Sequence, residues 1–486
     1  MCGVIGILSP KKVAVQIHDL LVQLQHRGQD AAGIITASER FNIKIGSGLV
    51  KDVFTQEDMN NLDGNLGIGH VRYPTAGTLS AEEAQPFWIG SPYGIAMAHN
   101  GQLTNYKQLA KYLKKEKRRH LNTQSDSETL IHLIASGLEE QEDLGHNQDE
   151  DDKNENNNLN NEEKFFEQLV VAIRNVMLNA KGSYSVVSMI LDKGLIGFRD
   201  PHGIRPLVMG EREESCGNKS IVIASENAGF YALGFTQISD VLPGELVYVG
   251  LSGKIYKKQL ITKDFRPCMF ETVYFSRPDA KIDDISVYRA RLRLGQNLAL
   301  RWQERFSHLP VDVVIPIPFT SNTAALSFAT KLGVRYSEGL YKNPFIGRTF
   351  IMPDDTMRKR SVRFKLAPQE TEIRGKNVIL VDDSIVRGTT SREIVKMVRE
   401  SGAESVYLVS TCPELKHPCF YGIDIPTEKE LIASKLSLEE LEKELNVDAL
   451  LYQDKSDLAE ALTRRGKYEI HKPCMACLDA DYFHES

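Results

Sequence analysis

The chain opens on an apolar run, Val4-Ile5-Gly6-Ile7-Leu8, and similar short runs recur at Ala32-Gly33-Ile34-Ile35-Thr36 and Gly94-Ile95-Ala96-Met97-Ala98. Runs of this length bounded by Gly-containing turns read as strands. Between them, Val15 to Leu24 and Ser127 to Ser136 read as helices. The mixture predicts a layered α+β domain. From Glu139 to Lys164 the pattern stops, because Glu, Asp and Asn crowd out apolar residues. Such a stretch buries too little to offset its ordering entropy, so a disordered acidic, Asn-rich insertion is expected there. Strand patterning resumes at Ser185-Val186-Val187-Ser188-Met189-Ile190-Leu191, so the insertion interrupts a domain rather than ending one.

From about Tyr256 the rhythm becomes strand, helix, strand. Val311 to Pro316 reads as a strand, Thr323 to Leu332 as a helix with Gly333 as its stop, Asn377 to Val381 as a buried strand, Ser391 to Arg399 as an amphipathic helix, and Ser405 to Val409 as another strand. This alternation predicts an α/β domain with a parallel sheet and crossover helices. The expected organisation is a first domain over 2–255, a second over 256–465 and a tail over 466–486.

At 486 residues the chain is too long for one core. A net charge of -6 leaves no footprint for nucleic acid or an anionic membrane, so an anionic substrate must be caught by a local site. No apolar run approaches the roughly 20 residues that cross a bilayer. The apolar start has no basic segment before it and is a poor signal peptide. Seven cysteines, an odd number, then argue for reduced thiols and a cytoplasmic protein.

With Met1 removed, Cys2 carries a thiol and a free α-amine, whose reference pKa near 8 lets it act as base for its own side chain. By position alone, Cys2 is equally a chance residue in a frayed terminus. Asn100-Gly101 alone reads as a hairpin turn. Taken as a set, Gln25-His26-Arg27-Gly28-Gln29-Asp30, Gly69-His70-Val71-Arg72-Tyr73-Pro74-Thr75, Ala98-His99-Asn100-Gly101 and Ser125-Asp126-Ser127-Glu128 resemble the N-terminal-nucleophile (class II) glutaminase domain over about residues 2–250. The resemblance implies a layered αββα fold and a glutamine site. Cys2 would attack the amide, Asn100 and Gly101 would hold the oxyanion, Arg72 the substrate carboxylate and Asp126 its ammonium, with Arg27, Gly28 and Tyr73 alongside. A carboxylate suits an Arg fork, and oxyanion donors typically contribute about 10²–10³ each in rate. His26, His70 and His99 are expected to be structural.

In Val378-Ile379-Leu380-Val381-Asp382-Asp383-Ser384-Ile385-Val386-Arg387-Gly388-Thr389-Thr390, a strand delivers two acids and a Gly/Thr loop opens a helix. Helix N-terminal amides suit a phosphate, and the acids suit ribose hydroxyls and magnesium. Alone, the segment could be a strand-to-helix turn with an acidic cap. It resembles the phosphoribosyl pyrophosphate (PRPP) signature of type I phosphoribosyltransferases, which implies PRPP contacts from Asp382, Asp383, Ser384, Arg387, Gly388, Thr389 and Thr390. The same resemblance places magnesium by Thr320, Asp382 and Asp383, although Phe319 stands where the family usually has an acidic or small residue. Lys342 and Arg348 fall in a segment resembling the loop that closes over PRPP.

The two halves together resemble glutamine PRPP amidotransferases over nearly the whole length. That implies formation of 5-phosphoribosylamine, pyrophosphate and glutamate, the first committed step of purine synthesis, with Tyr274 helping to form an ammonia passage. It also implies a homotetramer and feedback inhibition by purine nucleotides (AMP and GMP). A rival synthase would need an ATP-pyrophosphatase loop or a sugar isomerase domain, and neither appears. A PRPP-sensing binding protein with a dead glutaminase disagrees with the intact Cys2, Arg72, Asn100, Gly101 and Asp126.

Cys474-Met475-Ala476-Cys477 is a metal signal. Four thiolates suit an iron–sulfur cube, tetrahedral zinc also accepts four cysteines, and four unrelated thiols are the third alternative. In the cluster-bearing branch of the family the ligands stand in contexts resembling Arg266-Pro267-Cys268-Met269-Phe270, His417-Pro418-Cys419-Phe420-Tyr421-Gly422 and Cys474-x-x-Cys477. The resemblance implies a [4Fe–4S] cluster on Cys268, Cys419, Cys474 and Cys477. Cluster-bearing relatives often carry a longer propeptide, whereas here Cys2 follows Met1. Cys216 and Cys412 receive no role.

Overall fold

The computed structural model describes residues 2–73, 83–148, 161–215, 217–344, 362–425, 427–464, 466, 468–470 and 472–483. Cys216 and Arg348 lie outside the described residues.

The strand Gly3–Leu8 explains the first half. Its residues are buried on both faces. With the two-residue period of a strand, Ile5 and Ile7 pack toward the helix Ala14–Gln23, while Val4 and Leu8 pack into a second core. That second core lies between two antiparallel sheets. One sheet runs Gln237–Asp240, Val208–Glu213, Lys219–Ala224, Gly3–Leu8, Leu66–Arg72, Ala31–Ala37, Phe41–Ser47 in spatial order. The other runs Ile255–Gln259, Glu245–Gly250, Gly194–Arg199, Gly182–Ile190, Ile95–Leu103, Phe87–Ile89. In Gly182–Ile190, Val187 and Met189 face the intersheet core, whereas Val186 and Ile190 face the helices Asp126–Gln148 and Asn161–Asn179. The layers are therefore helix, sheet, sheet, helix.

Two boundaries differ from the sequence-based expectation. The strand Ile255–Gln259 pairs with Glu245–Gly250, so the first half extends past 255. The expected disordered stretch is helical at both described ends: one helix continues to Gln148 and the next begins at Asn161. The near end is tied down by ion pairs, Arg119 to Glu139 and Lys117 to Glu140, which a count of apolar residues overlooks. The far end leads into the buried Phe165 and Phe166.

The second half holds a five-stranded, wholly parallel sheet in the order Arg335–Tyr336, Val313–Pro316, Asn377–Asp382, Ser405–Ser410, Ala449–Tyr452. Its middle strand is apolar on both sides, as a parallel strand covered on both faces must be. Val378 and Leu380 pack with Ile394 of the helix Thr389–Glu400 and Leu441 of the helix Leu438–Leu445. Ile379 and Val381 pack with Trp302 of the helix Val287–Phe306 and Phe328 of the helix Asn322–Leu332. A small antiparallel pair, Leu340–Lys342 with Leu366–Pro368, accompanies it. Among the described residues no helix is long and apolar enough to cross a membrane.

Candidate active site

Pairing of Gly3 with Val71 brings Cys2 beside the end of the strand Leu66–Arg72. Its thiol lies 3.7 Å from the Tyr73 carbonyl, and its backbone nitrogen donates to Asn100 Oδ1 at 3.0 Å, bridging the two sheets. Asn100 is buried, and its Nδ2 has no hydrogen-bond partner among the described residues. A buried amide donor left in this way is costly in an apolar interior and suits an acceptor that arrives with substrate. Gly101 follows with φ of +156°, and a Cβ there would stand 2.0 Å from the Ser183 carbonyl oxygen. Gly28 is forced by contact too, since its Cβ would lie 2.5 Å from the Arg72 carbonyl carbon. Asp126 starts its helix with Oδ2 accepting from Leu103 N at 2.8 Å.

Arg72 Nη2 donates to Glu83 Oε2 at 2.7 Å, a buried partner the motif gave no reason to expect. Burial, then Arg72 and His99, takes the His70 imidazole down to about 3, so it stays neutral. His99 is also lowered by burial and lies 3.0 Å from Ser127 Oγ, and His26 Nε2 meets Glu226 Oε1 at 2.6 Å. Arg27, expected beside the substrate, makes buried contacts with two glutamates. Its side chain is fully buried, with Nε on Glu226 Oε1 at 2.5 Å and Nη2 on Glu271 Oε2 at 2.8 Å and Ser276 Oγ at 3.2 Å. Burial opposes its charge, and Glu271 and Glu226 hold it above the usual arginine range. Burial alone would raise the Glu226 carboxyl, but Arg27 and His26 carry it down to about 2. The Arg27 guanidinium ties the first half to the junction Glu271–Phe275, and its Nη1 has no hydrogen-bond partner among the described residues.

That junction, Glu271–Phe275, is a π-helix. Arg291, nearly buried on the helix Val287–Phe306, holds it by donating to the carbonyls of Thr272 (2.9 Å), Tyr274 (3.1 Å) and Ser276 (2.8 Å). Burial draws Arg291 down to about 10, with Asp383 pulling the other way. Arg291 thus touches the junction at its carbonyls while its charge feels Asp383. Sequence reading missed it because one Arg on a helix dense in Arg looks like surface charge.

Asp382 and Asp383 close the central strand and are both buried. Burial, then their mutual repulsion, raises Asp382 well above the usual carboxylate range. Asp383 is raised by burial too, against Thr320, Ser384, Arg291 and Lys342. Thr320 donates to Asp383 Oδ2 and Ser384 to Oδ1 (2.8 Å), so Thr320 meets the acids as expected. Two carboxylates held above their ordinary range with hard-oxygen neighbours suit a divalent cation. Gly388 turns the chain with φ of +74° into the helix Thr389–Glu400, whose first turn carries Thr389 and Thr390. Arg387 is held by Glu430 at 2.9 Å. Lys342 Nζ lies 4.8 Å from the centre of the Phe319 ring, so the residue that departs from the family pattern gives this lysine a seat.

Cys268, Cys419, Cys474 and Cys477 share one core. Cys268 and Cys474 pair as a short parallel bridge, and Cys474 N donates to the Pro267 carbonyl at 2.9 Å. Burial pushes the Cys268 thiol up to about 11 against the pull of Arg205. Cys474 and Cys477 are raised further by burial and by their fellow thiols. Among the described residues no group of three or more His, Cys, Asp or Glu side chains is arranged to hold one ion. Four cysteine sulfurs in one core, near the buried Arg205, are a donor set that an iron–sulfur cube or a zinc ion accepts.

Residues 70–147 match the glutamine amidotransferase domain family. The amidophosphoribosyltransferase of Pseudomonas aeruginosa is 48% identical across 99% of this chain and 93% of its own. That of Escherichia coli is 47% identical across 95% and 88%, and that of Saccharomyces cerevisiae is 44% identical across 95% and 88%. Among solved structures, the glutamine PRPP amidotransferase of B. subtilis complexed with ADP and GMP superposes with a TM-score of 0.82 at 35% identity, covering 99% of this chain and 97% of that one.

Proposed function

The chain belongs to the amidophosphoribosyltransferase family, and from that membership we infer how its own residues divide the reaction. The enzyme transfers the amide nitrogen of glutamine to PRPP, giving 5-phosphoribosylamine, pyrophosphate and glutamate, the first step of purine biosynthesis. In our reading Met1 is removed and the Cys2 amine takes the thiol proton. The thiolate attacks the amide carbon, and the resulting oxyanion is met by Asn100 Nδ2 and the Gly101 amide. Collapse expels ammonia with that proton and leaves a thioester, which water hydrolyses to glutamate. Arg72 and Asp126 orient the amino acid; Gly28 and Tyr73 line it. Ammonia passes Tyr274 and attacks the anomeric carbon of PRPP as pyrophosphate leaves.

At the second site Asp382 and Asp383 accept from the ribose hydroxyls, while Ser384, Gly388, Thr389 and Thr390 receive the 5-phosphate at the helix N-terminus. Lys342 approaches the pyrophosphate. Thr320, Asp382 and Asp383 would hold Mg²⁺, which neutralises the leaving pyrophosphate when bound. Cys268, Cys419, Cys474 and Cys477 would hold a [4Fe–4S] cluster as a structural tie for the tail, since neither half-reaction moves electrons. A cytoplasmic homotetramer inhibited by purine nucleotides completes the proposal. The observation that carries the division of labour is the buried chain from Arg27 through Glu271 and the π-helix to Arg291, which ties the half that holds Cys2 to the helix Val287–Phe306 of the half that holds the acid pair. Incubation with glutamine and Mg-PRPP should release glutamate and pyrophosphate in equal amounts, with little glutamate when PRPP is omitted. No PRPP-dependent glutamate would overturn the reading.

A further inference from the structure

Glycine is the most conformationally free residue, yet an oxyanion donor works only when it is fixed in advance. Something must therefore hold the Gly101 backbone. One side is clear: the Ser183 carbonyl presses against Gly101, and Ser183 Oγ accepts from Gln102 N at 3.3 Å. The other side comes from the phosphoribosyltransferase half. Gly422, with φ of +91°, is so close that a Cβ would lie 3.1 Å from both the carbonyl carbon and the oxygen of Gly101, and 3.3 Å from Arg205 Nη2. The neighbouring Tyr421 carbonyl accepts from Ser183 Oγ at 2.7 Å and from Arg205 Nη2. The Tyr421 ring is itself buried and stacks on Phe483 with centres 5.1 Å apart. One serine hydroxyl thus receives from the residue after Gly101 and donates to the residue before Gly422.

We propose that Tyr421–Gly422 is a positioning element for the glutamine half-reaction, a wall from the second half that fixes the Gly101–Gln102 peptide through Ser183 and Arg205 and so holds Gly101, whose own amide lies on the preceding peptide, in place. The proposal rests on the reading of Asn100 and Gly101 as oxyanion donors. It explains why a glycine stands at 422, where any side chain would push on Gly101 or on the guanidinium.

The test is the kinetics of Gly422→Ala with glutamine and, separately, with ammonia. A displaced donor harms the transition state rather than substrate binding. Removing one such donor costs about 10²–10³, so a shifted one should lower glutamine-dependent kcat by about 10-fold or more. KM for glutamine and the ammonia-dependent rate should stay within about twofold, a split that general loosening of the fold does not give. Should Gly422→Ala fail to fold, Ser183→Ala removes the shared hydroxyl without adding bulk and should show the same split at smaller size. A folded variant with normal glutamine turnover overturns the proposal. Asn100→Ala run in parallel separates the two ideas. A normal Asn100→Ala enzyme overturns the oxyanion reading and the proposal with it, whereas a crippled one beside a normal Gly422→Ala overturns only the positioning role.

Discussion

Arg27 Nη2 donates to Glu271 Oε2 across 2.8 Å in a place where neither side chain meets solvent. The bond joins the loop behind Cys2 to the first residue of the π-helical junction. Removing one member of a buried charge pair typically costs about 3–5 kcal/mol because the other charge is left uncompensated. Here Glu226 still faces Arg27, so Glu271→Gln should cost about 3 kcal/mol, read as a lower denaturant midpoint. Glutamine-dependent turnover should fall more than ammonia-dependent turnover. An unchanged midpoint would show that the pair is dispensable.

The acid pair gives a prediction with a definite sign. Both carboxyls are raised in the folded protein, so the stability linked to their protonation is full below the ordinary carboxylate range and is lost as pH rises through the raised values. Asp382→Asn with Asp383→Asn should therefore melt higher than the parent near neutral pH, the two converging at about pH 4. The same change removes two acceptors for ribose hydroxyls at about 1.5 kcal/mol or more each, so PRPP turnover should drop about 10²-fold or further. Mg-PRPP should raise the melting temperature of the parent and not of the variant. A lower melting temperature at pH 7 with turnover intact would contradict both halves of this argument.

For the cysteine core, anaerobically purified protein should be coloured and contain about four irons per chain. Cys477→Ser should lose the colour and lower the melting temperature, since it removes one of the four thiolates that would tie the tail to Cys268 and Cys419. Colourless protein that carries zinc would eliminate the cluster.

What could be read from the sequence was chemistry beside apolar runs. Cys2 stands immediately before the strand Gly3–Leu8, Asn100-Gly101 lie within the strand Ile95–Leu103 after its apolar start, and Asp382-Asp383 stand where the strand Asn377–Asp382 stops. The helix beginning at Thr389 and the αL stop at Gly333 were legible for the same local reasons. The partners of Arg27 were not legible, because a motif gives a residue without saying which neighbours it meets after folding. Glu271, Arg291 and Arg205 were not found at all. Each is a charge whose partners come from distant segments, and before folding nothing separates it from a solvated one. The start of the helical stretch beyond residue 138 was missed because Glu139 and Glu140 are held by Arg119 and Lys117, which a count of apolar residues does not register.

The central claim is that Cys2 alone generates the nitrogen that the acid-pair site consumes. The direct measurement is PRPP-dependent pyrophosphate release by Cys2→Ala with glutamine and with ammonia as nitrogen source. The account requires loss of glutamine-dependent activity with the ammonia-dependent rate retained within about twofold, as expected when only one half-reaction loses its nucleophile. Retention of glutamine-dependent activity, or loss of both, would contradict it.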